Sequence, residues 1–385
     1  MSTLKVNTIR HTGASSDAVT LASDGSCTAN LTNPKSFRNL IINGSQLIAQ
    51  RGTSSTSSDY QTVDRMVASS SGGSFTQTQS TLTSSDTGPW EKGFRKSYKL
   101  TNTGNTTAAS KYKQISTRLE GQDICNSGWI HTSASSYITF SFWAKSSFAG
   151  TYYVWFRSSD GTNKTYIHPF TLVANTWKKI ALTTPGASNV TINDDNGVGL
   201  KINIAVDWGT DFTDSGTGTG AWATFVGASR LPDFAQAWSN ESNSTFEVTG
   251  LQLEVGDTAT DFEHRSYADE LARCQRYYYK HIEGNNLVVC LGFSSATDQV
   301  SGYIQFPTTM RATPSIDHTN GDNYYRLGAG NLGGDKYVDG AWALQGATDK
   351  STRIYATPQS TLTAGEPGLV DTTNASASMA FSAEI

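Results

Sequence analysis

The sequence predicts an all-β protein: an antiparallel β-sandwich, then a smaller C-terminal β domain, joined by one short helix. Three observations carry that prediction. Only 16% of the 385 residues are Asp, Glu, Lys or Arg, against about a quarter in ordinary soluble domains. The polarity comes instead from Ser, Thr, Asn and Gly, with 35 Gly against 9 Pro, residues that suit turns and extended backbone and add little to helices. Finally, apolar side chains recur at every second position through most of the chain, and only the stretch around 266–281 changes to helical spacing.

Residues 1–36 hold two short extended pieces, "LKVNTI" and "AVTLAS". Leu4, Val6, Val19 and Leu21 bury too little apolar surface for independent stability, so the segment reads as an attachment arm. From Phe37 the pattern is dense. "NLIINGSQLIAQRGTS" predicts a strand, a turn at Asn43-Gly44 and a second apolar pair at Leu47 and Ile48. Ile138, Phe140, Phe142 and Ala144 share a face, as do Tyr152, Val154 and Phe156, and Leu200, Ile202, Ile204 and Val206. "TWKKIALTT" and "STFEVTGLQLEV" complete the set. This many half-wet strands imply antiparallel sheets packed as a sandwich. The outward positions still carry Trp143, Tyr153 and Trp155, expected to be covered by a second sheet, a neighbouring subunit or a ligand.

The helical stretch begins at Ser266, an N-cap with Asp269 three residues on. Tyr267, Leu271, Cys274 and Tyr278 then fall on one face of a helix of about 15 residues. Such a helix is marginal alone, and its stripe is expected to pack on a neighbouring domain or on sister helices. Beyond Gly284 the strands resume with "NLVVCLGFSS", "SGYIQFP", "STRIYATP" and "SMAFSAEI". Between them a Gly- and aromatic-rich stretch from Asp317 to Gly346 reads as a decorated loop region. The expected organisation is therefore an arm at 1–36, a sandwich at 37–263, a connector helix at 264–283 and a β tip at 284–385.

A net charge of −4 with scattered Lys and Arg gives no electrostatic case for nucleic acid. Nothing at the start resembles a signal peptide, and no apolar run approaches a bilayer span. Cys27, Cys125, Cys274 and Cys290 form no CxxC pair and predict free buried thiols. "GAGNLG" at 328–333 matches GxGxxG formally, but no helical period follows it. "NDDNG" at 193–197 has Ile192 where an EF-hand needs an oxygen ligand; a solvated turn is expected there, a structural ion at a sandwich edge being the alternative. Asp207, Asp211 and Asp214 form an ordinary acidic loop, and the six histidines stand singly. No catalytic constellation, metal or cofactor is predicted.

Recognition remains. Aromatic rings stack on the apolar faces of sugars while Asn, Asp, Arg and Gln bond hydroxyls. The candidates are Tyr324, Tyr325, Arg326, Tyr337, Asp339 and Trp342 in the C-terminal part, and Trp208, Trp222 and Trp238 in the sandwich.

Several stretches resemble bacteriophage tail-fibre proteins, particularly those of marine phages. "NLIINGSQLIAQRGTS" with "TVDRM", "FSFWAKSSFAGTYYVWFRSSDG" and "NTWKKIALT" are similar to that family's jelly-roll, carbohydrate-binding-module-like domain. "GLQLEVGDTATDFEHRSYADELARCQRYYYK" resembles its exit and connector helix and is the most specific part. "IQFPTTMRATPSI" resembles the start of the distal domain, and "LKVNTI" the arm. The resemblance implies a non-enzymatic, homotrimeric virion appendage, assembled in the host cytoplasm, joined to the tail or an adaptor by its arm, and binding bacterial surface polysaccharide. Tyr267, Leu271, Cys274 and Tyr278 would then gather three copies about an axis. A polysaccharide depolymerase and a purely structural fibre are the alternatives.

Overall fold

The computed structural model describes residues 6–10, 12–13, 17, 19–23, 25, 27–29, 37–328, 336–338 and 341–385. The described arm residues form a three-stranded antiparallel sheet, β1 (Thr8–Ile9), β2 (Val19–Leu21) and β3 (Cys27–Ala29). Ile9 and Leu21 lie exposed on it.

The sandwich contains β4 (Ser54–Ser55), β5 (Val67–Ser71), β6 (Phe75–Thr81), β7 (Lys96–Asn102), β8 (Tyr112–Glu120), the short helix α1 (Gly121–Cys125), β9 (Tyr137–Ser146), β10 (Gly150–Ser158), β11 (Lys164–Leu172), β12 (Lys178–Pro185), β13 (Val198–Trp208), β14 (Ala223–Thr224) and β15 (Thr245–Val255). They make two six-stranded sheets, ordered β14-β11-β10-β13-β8-β5 and β12-β9-β15-β7-β6-β4, antiparallel throughout. The alternation predicted for β9 and β10 decides how they meet. Phe140 and Phe142 point inward, and Phe156 and Phe170 meet them edge-on from the facing sheet at 6.1 and 5.5 Å. The result is the all-β jelly-roll sandwich that the sequence predicts.

Residues 37–50 depart from the predicted strand-turn-strand. No strand forms there, because Asn43 and Gln46 both take left-handed backbone, φ 60° and 61°. Asn43 compensates through its buried side chain. Its Nδ2 donates to the carbonyls of Ile48 and Asp64, and its Oδ1 accepts from Ile48 N–H. The segment lies against β15, with Leu40 N–H donating to Leu253 O and Leu251 N–H to Gly44 O, each at 2.9 Å. A Cβ on Gly44 would sit 2.0 Å from Leu251 O, so only glycine allows that approach.

The connector helix α2 (Tyr267–Gln275) is shorter than expected. Ser266 caps it, its Oγ accepting from Asp269 N–H at 3.1 Å. The chain then turns into strands: β16 (Tyr278–Glu283), β17 (Val288–Ala296), β18 (Gln299–Gln305), β19 (Ser315–His318), β20 (Tyr325–Gly328), β21 (Lys336–Val338), β22 (Ala343–Gln345), β23 (Ser351–Ala356), β24 (Pro367–Thr372) and β25 (Ser378–Ser382). A three-stranded sheet β16-β25-β19 and a seven-stranded sheet β21-β20-β24-β17-β18-β23-β22 share a second apolar core. The described part of the Gly-rich stretch thus contributes three short strands, β20, β21 and β22, to the seven-stranded sheet.

The C-terminal strands dock on the sandwich through a buried polar joint. Arg65 stacks on the Tyr277 ring and Arg51 on the Tyr278 ring, both at 3.5 Å. Both arginines also pair with Glu384. Glu120, wholly buried at the end of β8, accepts from Arg276 Nε and Nη2 at 2.9 and 2.8 Å and from the Tyr277 hydroxyl.

Candidate functional site

The structure separates the residues predicted to contact sugar. Tyr325 and Trp342 pack edge-to-face at 5.6 Å inside the C-terminal core. The Tyr325 hydroxyl is used up internally, donating toward the carbonyls of Thr319 and Ser378. Neither ring has a face for a ligand, which corrects their assignment. The physical reason is that β20 pairs with β24 on one side and β21 on the other, so its inward residues join the core. Arg326 lies on the opposite face, its guanidinium paired bidentately with Asp371 at 2.8 and 2.9 Å. Tyr337 is half-buried beside it, Tyr324 packs against the core edge, and Asp339 lies outside the described residues.

The stripe on the connector helix is likewise divided. Cys274 is buried within its own chain, and Tyr278 has left the helix for β16, where Arg51 covers its ring. Tyr267 is exposed and Leu271 half-buried, so the four do not form one open seam.

The outward aromatics of the sandwich have two fates. Tyr153, Trp155 and Trp208 form a separate buried cluster with Ile167 and Leu231. The chain's own segment 209–238 covers them: Phe234 lies on Tyr153 at 5.1 Å, Phe225 on Trp155 at 6.2 Å and Phe212 on Trp208 at 5.7 Å. Trp238 is buried in the main core, and Trp222 packs against it, its Nε1 donating to Pro185 O at 2.7 Å. These rings need neither sister chain nor sugar.

Trp143 differs. Inward neighbours Phe142 and Ala144 fix its strand, so Trp143 and Ser141 face outward from the β12-β9-β15-β7-β6-β4 sheet, with Lys179 opposite on β12. Above them residues 83–94 form a wall. Asp86 ties it down, accepting from Lys145 Nζ at 3.0 Å and Trp177 Nε1 at 2.9 Å. Burial pushes the Asp86 carboxyl up, but the bonds from Trp177, Thr83 and Lys145 overrule this and bring it down to about 2. Gly88 lies on the Trp143 ring at φ 97°, where a Cβ would come within 2.5 Å of Cζ3. The second wall is an aromatic clasp. Phe94 meets Phe262 at 4.8 Å and His264 at 5.1 Å, and His264 Nε2 donates to Lys92 O at 2.9 Å.

Between the walls is a cavity of about 280 Å³, with Trp143, Ser141, Lys179, Glu91, Lys92 and Asp261 among its lining. An indole beside one hydroxyl, two ammonium and two carboxylate side chains offers a ligand an apolar face with polar groups at its rim. The sequence marked Trp143 as outward; its partners come from remote stretches that no local pattern links.

Two larger cavities, of about 540 and 560 Å³, flank Phe37. Phe37 is 77% exposed, the Arg273 guanidinium lying 5.7 Å from its ring. They mark where the arm joins the sandwich. The acidic loop is structural: Asp207 is buried, accepting from Lys111 Nζ at 2.9 Å and Ser239 N–H at 2.8 Å, and Asp214 accepts from Gly216 N–H. Asp195 accepts from Gly197 N–H at 2.8 Å, making "NDDNG" a turn. Among the described cysteines, Cys125, Cys274 and Cys290 are free thiols, Cys125 only partly buried.

No protein-family model matches the chain, and no curated protein matches it. Solved structures similar to it include the enzymatically active domain of bacteriophage CBA120 tailspike protein 4, at 12% identity and TM-score 0.31, covering 57% of this chain and 21% of that one. A family 16 carbohydrate-binding module matches at 13% identity and TM-score 0.26, covering 56% and 99%. The family 11 carbohydrate-binding module from Clostridium thermocellum, in complex with a β-1,3-1,4-mixed-linked tetrasaccharide, matches at 13% identity and TM-score 0.26, covering 55% and 98%. The chain spans about a fifth of the tailspike chain's length.

Proposed function

We propose that the chain is a carbohydrate-binding component of a phage tail fibre, a homotrimer that attaches to the tail or an adaptor by its arm and binds host surface polysaccharide without cleaving it. The observation that carries the glycan part is the Trp143 cavity: a partly buried indole on a sheet face, walled by residues 83–94 and 261–264, with polar side chains at its rim. The virion setting rests on the resemblance of "GLQLEVGDTATDFEHRSYADELARCQRYYYK" to tail-fibre exits. Weak binding per subunit is consistent with firm adhesion when several copies act together.

The test is a bacterial glycan array probed with the full chain and with Trp143→Ala. Because Trp143 faces outward, the variant keeps its fold, checked by circular dichroism. The expected result is binding to at least one polysaccharide, weakened by roughly tenfold or more in the variant, as for an aromatic anchor worth ~1.4 kcal/mol or more. Equal binding by both proteins would remove Trp143 from the site. New reducing ends appearing in the bound glycan would replace the adhesin with a depolymerase.

A further inference from the structure

The outward face of the seven-stranded sheet carries large apolar side chains that nothing in the described chain covers. Leu291 on β17 is 77% exposed, and Val288 and Tyr303 are each 60% exposed. Phe293 and Leu369 are also exposed. The register gathers them. Leu291 pairs with Leu369 on β24, and the Gly292–Gly302 pair sets Leu291 opposite Tyr303 on β18. Phe293 follows two residues on, hence on the same face. The intervening residues point into the core: Cys290 is buried, and a Cβ on Gly292 would meet Val370 Cγ2 at 2.6 Å. One side of the sheet is thus the C-terminal core and the other a contiguous apolar patch.

We infer that this patch is a self-association surface on which a second copy of the same chain docks. Three observations choose a copy of the chain over a sugar or a charged partner. First, the centre is aliphatic: Leu291, Leu369 and Val288 offer no donor or acceptor to a hydroxyl-rich ligand. Second, the polar groups on this face are hydrogen-bonded inside the chain. Arg326 pairs with Asp371, and Arg353 Nη2 donates to Gln299 Oε1 at 2.9 Å and Ser301 Oγ at 2.8 Å. Sister copies gathered about the trimer axis therefore approach this face with its polar groups already bonded, so little is lost in desolvating them.

Third, the area fits. Five side chains exposing between 42% and 77% of their surface, with ~200 Å² for each ring and somewhat less for each aliphatic chain, present on the order of 500 Å², within the upper range of patches on ordinary monomers. With the polar remainder of the sheet as rim, this approaches the ~800 Å² per partner of a stable interface. The inference deepens the oligomeric part of the function proposed above and rests on it; it rests on no part of the glycan reading.

The test uses the full chain. Sedimentation velocity across a concentration series is run on the wild type, on Leu291→Asp and on Leu271→Asp, the last altering the connector helix. The expected result is an oligomer in the wild type and in Leu271→Asp. In Leu291→Asp the self-association Kd rises at least tenfold, with an unchanged circular dichroism spectrum, since residue 291 touches no core.

A wild-type oligomer untouched by Leu291→Asp overturns the surface while leaving the oligomer standing; a monomeric wild type overturns both. Should Leu291→Asp fail to fold, a Leu291→Cys variant reads the same surface by thiol labelling at residue 291. Labelling that slows as protein concentration rises supports a second copy. Labelling fast at every concentration, or blocked at every concentration by a segment of the same chain, overturns it. Polysaccharide binding is measured in parallel: a monomeric variant that still binds, more weakly, separates this surface from the Trp143 site.

Discussion

Removing the Glu120 carboxylate should loosen the joint between the two cores. Glu120 is wholly buried and accepts from Arg276 twice, from Tyr277 and from Gln122 Nε2 at 2.6 Å. Burial pushes its carboxyl up, but the bonds from Arg276 and Tyr277 overrule that and hold it below the usual range. In Glu120→Ala the Tyr277 hydroxyl, itself buried, loses its acceptor, at a cost of ~1–3 kcal/mol. Arg276 also loses its counter-ion, but its side chain is 29% exposed and can turn to water, so the full ~3–5 kcal/mol for breaking a buried pair is an upper limit. About 3 kcal/mol in total is the expected loss.

Urea unfolding monitored by near-UV circular dichroism reads it as a lower midpoint. The two cores, no longer latched, should also unfold in more clearly separated steps. A double-mutant cycle with Arg276→Ala should return a coupling of ~1–3 kcal/mol. A loss below ~1 kcal/mol from Glu120→Ala, or strict additivity in the cycle, would refute the account of the joint.

A second buried carboxyl, Asp64, makes the opposite prediction for pH. Burial raises Asp64 to about 6, the bonds from Gln50 only partly opposing it. The folded state therefore binds more protons than the unfolded one between the model-compound 3.8 and about 6, and stability falls as pH rises through that window, by ~3 kcal/mol at most. Asp64→Asn should abolish that slope, and urea midpoints at pH 4.5 and 7 measure it; an unchanged slope contradicts the assignment. Glu120 slopes the other way, its contribution present above the unfolded carboxyl pKa and lost as pH falls through the lowered folded value. Ser266→Ala removes the cap of the connector helix and should cost ~1 kcal/mol, seen as faster hydrogen exchange confined to residues 267–275. Exchange unchanged there would mean that tertiary packing alone holds the helix.

Strand identity was legible because it is local. Ile138, Phe140, Phe142 and Ala144 announce β9 by period alone, and Ser266 with Asp269 announces the helix start. What covers each face was not legible, because it depends on contacts far along the chain. Trp155 and Tyr153 looked unpartnered until segment 209–238, with Phe212, Phe225 and Phe234, folded back over them. The strand predicted around Asn43 fails because a side chain supplies the bonds that a ladder would have made.

Glycine misled near the tip. Its density from 321 onward suggested binding loops, whereas Tyr325 and Trp342 lie in a core between short strands. Tyr278 ends the helical stripe that the spacing predicts, and only the tertiary structure shows Arg51 stacked on it and Arg65 on the adjacent Tyr277. Most of the surplus rings are therefore covered by the chain itself, and Trp143 is the sandwich ring that its own chain leaves lining a cavity.

The most direct measurement is a crystal structure of the full chain soaked with an oligosaccharide from a polysaccharide that it binds. The account predicts a sugar ring against the Trp143 indole, within hydrogen-bond reach of Ser141, Lys179 or Asp261. Sugar density on the C-terminal sheets, with the Trp143 cavity empty, would contradict it.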